Sequence, residues 1–320
     1  MTRVSDNNNT AALNYTLNRA KEKLEDLQMK GATLKKITRP SDNPVANVES
    51  LTIQSSTKDN QQYMRNINNA LVYLNLSEET LGQITEILGK AKDIAIAQSS
   101  DLYGPQARAN VAQEVAQLRQ QLLALSNKRL GNRYIFAGHA TLKPPFDHQG
   151  NYHGDSGHIN VEISKDFFIP INLTGEEVFY NSRLASEIPF DPWQELQTGG
   201  MNRPLDLNFH HNIFTLLETL QTALENNQAR QIQDLLEPLD AAAAKIISLR
   251  TKVSALASSV DYAQNAIEGE NLHHAERNSK LVDADIAEIF SDLSKQQQVL
   301  RTSYQTAKTS LNQSLLDFIR

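Results

Sequence analysis

The segment Asp283 to Arg320 runs nearly forty residues without a proline or a glycine. Its apolar residues fall at Ile286, Ile289, Leu293, Leu300, Tyr304, Ala307, Leu311, Leu315 and Phe318. The steps between them are mostly three and four, with one gap of seven, which is a helical stripe and not a strand alternation. Asp285, followed three residues later by Glu288, reads as a capping box ahead of that stripe. A long one-sided helix cannot bury its stripe alone. It constrains the chain to supply a partner helix, and a candidate lies at the other terminus.

Leu13, Leu17, Ala20, Leu24, Leu27, Gly31 and Leu34 repeat at alternating steps of four and three, a heptad-like seam. Residues 1–39 hold eight basic and four acidic side chains, whereas 281–320 hold four basic and five acidic. The opposite signs suit pairing, although exposed ion pairs contribute at most about 1 kcal/mol. Arg39-Pro-Ser-Asp42-Asn43-Pro44 ends the first helix, because each proline disfavours helix in the residue before it and Ser, Asp and Asn favour turns. This turn is expected to orient the terminal pair, with Arg39, Asp42, Asn43 and Pro44 as its working residues.

A second helical stripe runs from Ile67 to Ala95, and a third helix from about Pro105 to Lys128. The character then changes. Half of the twenty aromatic residues and five of the ten prolines lie between Tyr134 and Trp193. His158 to Ser164 alternates apolar and polar, and Phe167 to Leu173 does so roughly, so a small β-rich insert is expected. Helix returns near Leu207, with His210-His211 at its start. A further long helix, kinked at Pro238, follows Asn226-Asn227.

The expected fold is therefore mainly α with a small β-rich inserted domain, closed by a long helical bundle or coiled coil formed by both chain ends. The expected divisions are 1–40 (N-terminal helix), 41–132 (first part of a helical bundle), 133–200 (β-rich outer domain), 201–280 (second part of the bundle) and 281–320 (C-terminal helix pairing with 1–40). Both terminal segments are expected to be mobile in an isolated monomer and to order when packed among copies or neighbours.

Composition narrows the function. A net charge of −6 disfavours nucleic acid or an anionic membrane as the main partner. No eighteen-residue apolar run suggests a membrane span, and the polar, Asn-rich start does not look like a secretory signal. Cysteine is absent, which removes disulfides, thiolate catalysis and Cys-based zinc sites together. His148, His153 and His158 could suggest a metal-dependent enzyme, but a spacing of five suits neither a helix face nor a zinc-finger pattern, so turn and strand polar residues are the better account. Neither a phosphate loop, nor a nucleophile elbow, nor an HExxH pair is present. No catalytic residue, cofactor or metal is expected.

Four stretches, in order, resemble a known family. They are Arg3-Val4-Ser5; Arg39 to Val45; Asn132-Arg-Tyr134-Ile-Phe136-Ala-Gly138; and Asp283 to Glu288 followed by Gln296 to Gln298 and Ser314 to Phe318. Together they are similar to the flagellin and hook-associated family over nearly the whole chain. Tyr134 to Gly138 and the Ser314 to Phe318 ending look more like the members that join hook to filament than like flagellin. The resemblance implies a non-enzymatic subunit of the bacterial flagellum, exported by the flagellar type III apparatus without a cleaved signal and assembled outside the cell. It implies a ring with copies of itself, contacts with neighbouring hook-associated, hook or filament subunits, and an export chaperone on the C-terminal helix. The expected assembly residues are Leu13, Leu17, Leu24, Leu27, Leu293, Leu300, Tyr304, Leu311 and Leu315. The alternatives are a flagellin-like filament subunit, the histidine-loop enzyme and a cytosolic coiled-coil scaffold.

Overall fold

The computed structural model describes residues 2–100, 104–180 and 212–319, with side chains over 11–100, 104–180 and 212–309. In chain order the elements are α1 (Thr2–Thr33), α2 (Pro44–Gln98), α3 (Pro105–Ser126), β1 (Arg129–Leu130), β2 (Arg133–Tyr134), β3 (Asn160–Ser164) and β4 (Phe167–Pro170). They continue with α4 (Gly175–Phe179), α5 (Ile213–Glu225), α6 (Ala229–Asp234), α7 (Leu236–Val282) and α8 (Ile286–Ile319). The mainly helical architecture with a small central β region is the one the periodicity implies. His210 and His211 lie outside the described residues.

The chain divides into two compact units. The terminal unit comprises residues 1–60 and 268–320, and the middle unit residues 61–267. α2 and α7 contribute residues to both.

The middle unit holds a continuous core. Ile67, Leu74, Leu81, Ile84 and Leu88 of α2 are buried with Val115 and Leu122 of α3, Leu217 and Leu220 of α5, and Ile246, Val253 and Val260 of α7. Three of the aromatic residues that mark the β region, Phe136, Phe146 and Phe179, condense around one point, while Phe167 and Phe168 of β4 are exposed. Phe179 packs edge-on to Phe136 and Phe146 with ring centroids 5.8 and 4.8 Å away, and it stacks on Phe214 of α5 at 5.3 Å. Such pairs add about 0.5–1.5 kcal/mol each beyond their buried area. β3 and β4 form an antiparallel hairpin, and Asn66 of α2 donates its side-chain N–H to the Glu162 carbonyl at 2.7 Å. α4 starts with a full capping box, Thr174 with Glu177.

Two expectations about helices are corrected. The long helix after Asn227 is two helices, because α6 ends at Asp234 and α7 starts at Leu236. Pro238 therefore sits in the first turn of α7, where its missing N–H costs nothing, and it makes no kink inside a helix. Leu34 does not extend the α1 seam. It lies one residue past the helix with φ 55°, and its side chain is exposed. A residue in this left-handed conformation ends a helix, a place glycine usually takes.

Candidate assembly interface

In the terminal unit α1 and α8 run antiparallel. The seam predicted on α1 faces α8: Leu13, Leu17, Ala20, Leu24, Leu27 and Gly31 are half-buried, while their neighbours Asn14, Asn18, Lys23 and Gln28 are exposed. On α8, Ile289 and Ala307 are buried, and Leu293 and Leu300 half-buried. Gly31 brings the two helices close, since a Cβ there would lie 3.4 Å from the Ile289 Cγ2 methyl. Tyr304 lies at the seam's edge, with the Lys21 ammonium 5.8 Å from its ring centroid. Ile286, read as part of the inward stripe, is instead exposed. The side chains of Leu311 and Leu315 lie outside the described residues.

The gap of seven between Leu293 and Leu300 is filled by a polar residue. Gln296 is buried, and its side-chain N–H donates to the Ala20 carbonyl at 3.0 Å. A buried amide needs such a partner, because leaving it unpaired costs about 1–3 kcal/mol. The sequence placed Gln296 in the signature Gln296 to Gln298 but not in the seam; the signal for its burial was the missing apolar step.

At the base of the pair the chain ends of the helices are stitched by backbone. Lys36 N donates to the Val282 carbonyl at 2.8 Å, and Ala284 N to the Leu34 carbonyl at 3.0 Å. Asp285 caps α8, accepting from Ala287 N at 2.8 Å and more weakly from Glu288 N at 3.4 Å. The turn before α2 is built around two side chains. The Asp42 carboxylate accepts from Arg39 N at 2.9 Å, Thr38 N at 3.1 Å and the Thr38 hydroxyl at 3.2 Å. Those donors, the Arg39 and Thr38 amides foremost, hold its carboxyl below the usual carboxylate range. The Asn43 side-chain oxygen accepts from Ala46 N at 3.1 Å, and Pro44 opens α2.

α2 and α7 meet in this unit mainly through polar contacts, which periodicity gives no means of finding. Ser50 donates to Asn278 at 2.7 Å, Asn60 to Glu270 and Asn271 at 3.2 and 3.1 Å, and Arg277 pairs with Glu49 at 2.5 Å.

Burial separates the two units. The largest fully buried side chains among the described residues, Phe136, Phe179, Phe214 and Leu81 among them, all belong to the middle unit. Among the described residues, the buried apolar side chains of the terminal unit are Ile37, Ala46, Ile53, Val282, Ile289 and Ala307. Among the described residues, that unit also carries eleven of the eighteen large apolar side chains found exposed, in far less chain.

The other candidate ligands do not converge. His153 pairs with Asp147 at 3.2 Å and His158 lies 3.8 Å from Glu177, while His148 is exposed. No cluster of three metal-ligating side chains forms among the described residues. No described helix is long and apolar enough to cross a membrane.

The chain is similar to the flagellin-related, hook-associated proteins, and residues 4–141 match the family model for the bacterial flagellin N-terminal helical region. Within that class the chain is similar to flagellar hook-associated protein 3 of Salmonella typhimurium, 26% identical over 301 residues that cover 90% of each chain. It is 25% identical to flagellar hook-associated protein 3 of Escherichia coli over 286 residues, covering 85% of this chain and 86% of the relative. The fold matches the crystal structure of the flagellar junction protein FlgL from Legionella pneumophila with a TM-score of 0.57 at 18% identity, covering 73% of this chain and all of that one.

Proposed function

We propose that the chain is a structural, non-enzymatic subunit of the bacterial flagellum that joins hook to filament by packing its paired terminal helices among copies of itself and neighbouring subunits. The observation that carries this reading is the contrast in burial. The middle unit completes its own core, whereas the terminal unit leaves its seam half-buried and its other apolar faces open. The similarity to flagellar hook-associated protein 3 over nine-tenths of the chain supports the same reading. The assembly residues are Leu13, Leu17, Leu24, Leu27, Leu293, Leu300, Tyr304, Leu311 and Leu315, and the Arg39 to Pro44 turn sets the direction in which α1 gives way to α2.

The protein reaches its place by flagellar type III export, with a chaperone on the C-terminal helix, and works outside the cell. A chain without cysteine and with a lightly buried terminal unit suits passage in unfolded form.

A strain lacking the protein tests the junction role. It is expected to build an intact hook and to shed flagellin into the medium. Filaments of normal length in that strain would overturn the proposal. Reintroduced Leu311→Asp is expected to leave the middle unit folded and to fail to restore filaments; restoration at normal levels would count against the terminal seam. A flagellin-like filament subunit would instead polymerise into long filaments when purified.

A further inference from the structure

The middle unit holds a cavity of about 780 Å³ that takes no part in the terminal seam. One wall is the segment before β3, with Tyr152, Ser156 and His158. Another is α4 and its flanks, from Thr174 to Tyr180. Lys245 and Leu249, one turn apart on α7, complete the lining. Small-molecule sites typically enclose about 300–1,000 Å³.

Contacts within the walls hold them in place. Thr174 and Glu177 fix each other through the capping box of α4. The Tyr152 hydroxyl donates to the Asp155 carbonyl at 2.7 Å, and the Tyr152 amide donates to the Tyr180 hydroxyl at 3.2 Å. Lys245 directs one N–H to the Tyr180 carbonyl. An ammonium carries two more. The Ser156 hydroxyl and the Glu176 carboxylate are exposed and have no hydrogen-bond partner among the described residues. A wall ordered before binding leaves little ordering to be done by the ligand.

The lining selects the class of ligand. Two carboxylates, Glu176 and Glu177, are matched by two ammonium groups, Lys245 in the wall and Lys252 at 3.8 Å from Glu177. An anion meets the carboxylates and a cation meets the ammonium groups, so the ligand that fits carries no net charge. Leu249 is the one aliphatic residue in the lining, so that ligand is polar. Lys245 donates, Glu176 accepts, and Ser156 and His158 do both. Hydroxyl groups satisfy such a mixture, because each donates one hydrogen bond and accepts others. The rings of Tyr152 and Tyr180 add apolar faces with polar tips, which suit the C–H face of a pyranose.

We propose that this cavity binds a neutral saccharide, with Ser156, Glu176 and Lys245 bonding its hydroxyl groups and the two tyrosines covering its ring. The site gives the β region a binding role that is separate from the packing of the terminal helices.

The full-length protein at pH 7 is applied to an array of neutral oligosaccharides built from hexoses, deoxyhexoses and N-acetylhexosamines. Sialylated and sulfated glycans on the same array, and diglycine in solution, are the charged comparisons, and calorimetry measures each affinity. A neutral glycan is expected to bind with a Kd of about 1 mM or tighter. The double variant Ser156→Ala/Glu176→Ala is expected to weaken that binding about ten-fold or more. Both side chains are exposed, so the fold is retained, and thermal melting checks it. Val72→Ala, on an exposed part of the middle unit, is expected to bind as the wild type does. No neutral glycan bound, tighter binding of the charged comparisons, or equal binding by the double variant overturns the proposal. Reintroduced into a strain lacking the protein, the double variant is expected to restore filaments. Failure to restore them would tie the cavity to assembly and overturn its separate role. The junction reading is tested by the deletion strain itself, so it stands or falls apart from glycan binding.

Discussion

Gly31 lies where α1 and α8 pack closely, with 3.4 Å between a notional Cβ and the Ile289 methyl. That is ordinary contact for one added carbon, so Gly31→Ala should be accommodated. It should raise helix stability by about 0.5–1 kcal/mol. Gly31→Val adds two methyls where there is room for none and should lower the melting temperature of the terminal unit while leaving that of the middle unit alone; two-domain calorimetry reads both. In the middle unit Lys245 is half-buried and donates to the Tyr180 carbonyl. Burial pushes its ammonium down to about 8 from 10.5, partly opposed by Glu177. Between pH 8 and 10.5 the folded state has lost this proton while the unfolded chain keeps it, so unfolding takes up a proton and stability rises with pH across that window. Lys245→Met should flatten that rise, as measured by the melting temperature of the middle unit from pH 7.5 to 10.5.

The helices show what periodicity can and cannot read. Leu13, Leu17, Leu24 and Leu27 are legible as a seam because a helix repeats its inward face every three or four residues, and the structure turns them towards α8. The same rule misplaces Ile286 and Leu34. Periodicity reports which residues share a face, but not where a helix begins or where its partner stops covering it. Gln296 is illegible for a different reason: its burial depends on the Ala20 carbonyl opposite, a partner supplied by another element. The polar contacts between α2 and α7 are hidden for the same reason, and the exposed α2 residues Val45, Val48 and Leu51 stand outside any seam that a single-face pattern detects. Leu24→Asp places a carboxylate in the half-buried seam and should cost the terminal unit about 2 kcal/mol. The α1–α8 pair should open in circular dichroism at a lower temperature, with the transition of the middle unit unmoved.

At the scale of the molecule, stability is divided unevenly. The middle unit has a continuous aromatic and aliphatic core, whereas the terminal unit has two long helices in single-file contact and apolar faces turned to solvent. Helices of this kind gain most of their stability from tertiary packing, so a pair with one partner each is held weakly until neighbours add theirs. The central claim is that the terminal helices complete their burial between molecules. Amide hydrogen exchange on the full-length chain, once as a dilute monomer and once in assembled flagella, tests it most directly. The account predicts fast exchange along α1 and α8 in the monomer, slow exchange through α3, α5 and the middle of α2, and at least a hundred-fold slowing of α1 and α8 on assembly. Equal protection of α1 and α8 in the dilute monomer and the assembled state would contradict it.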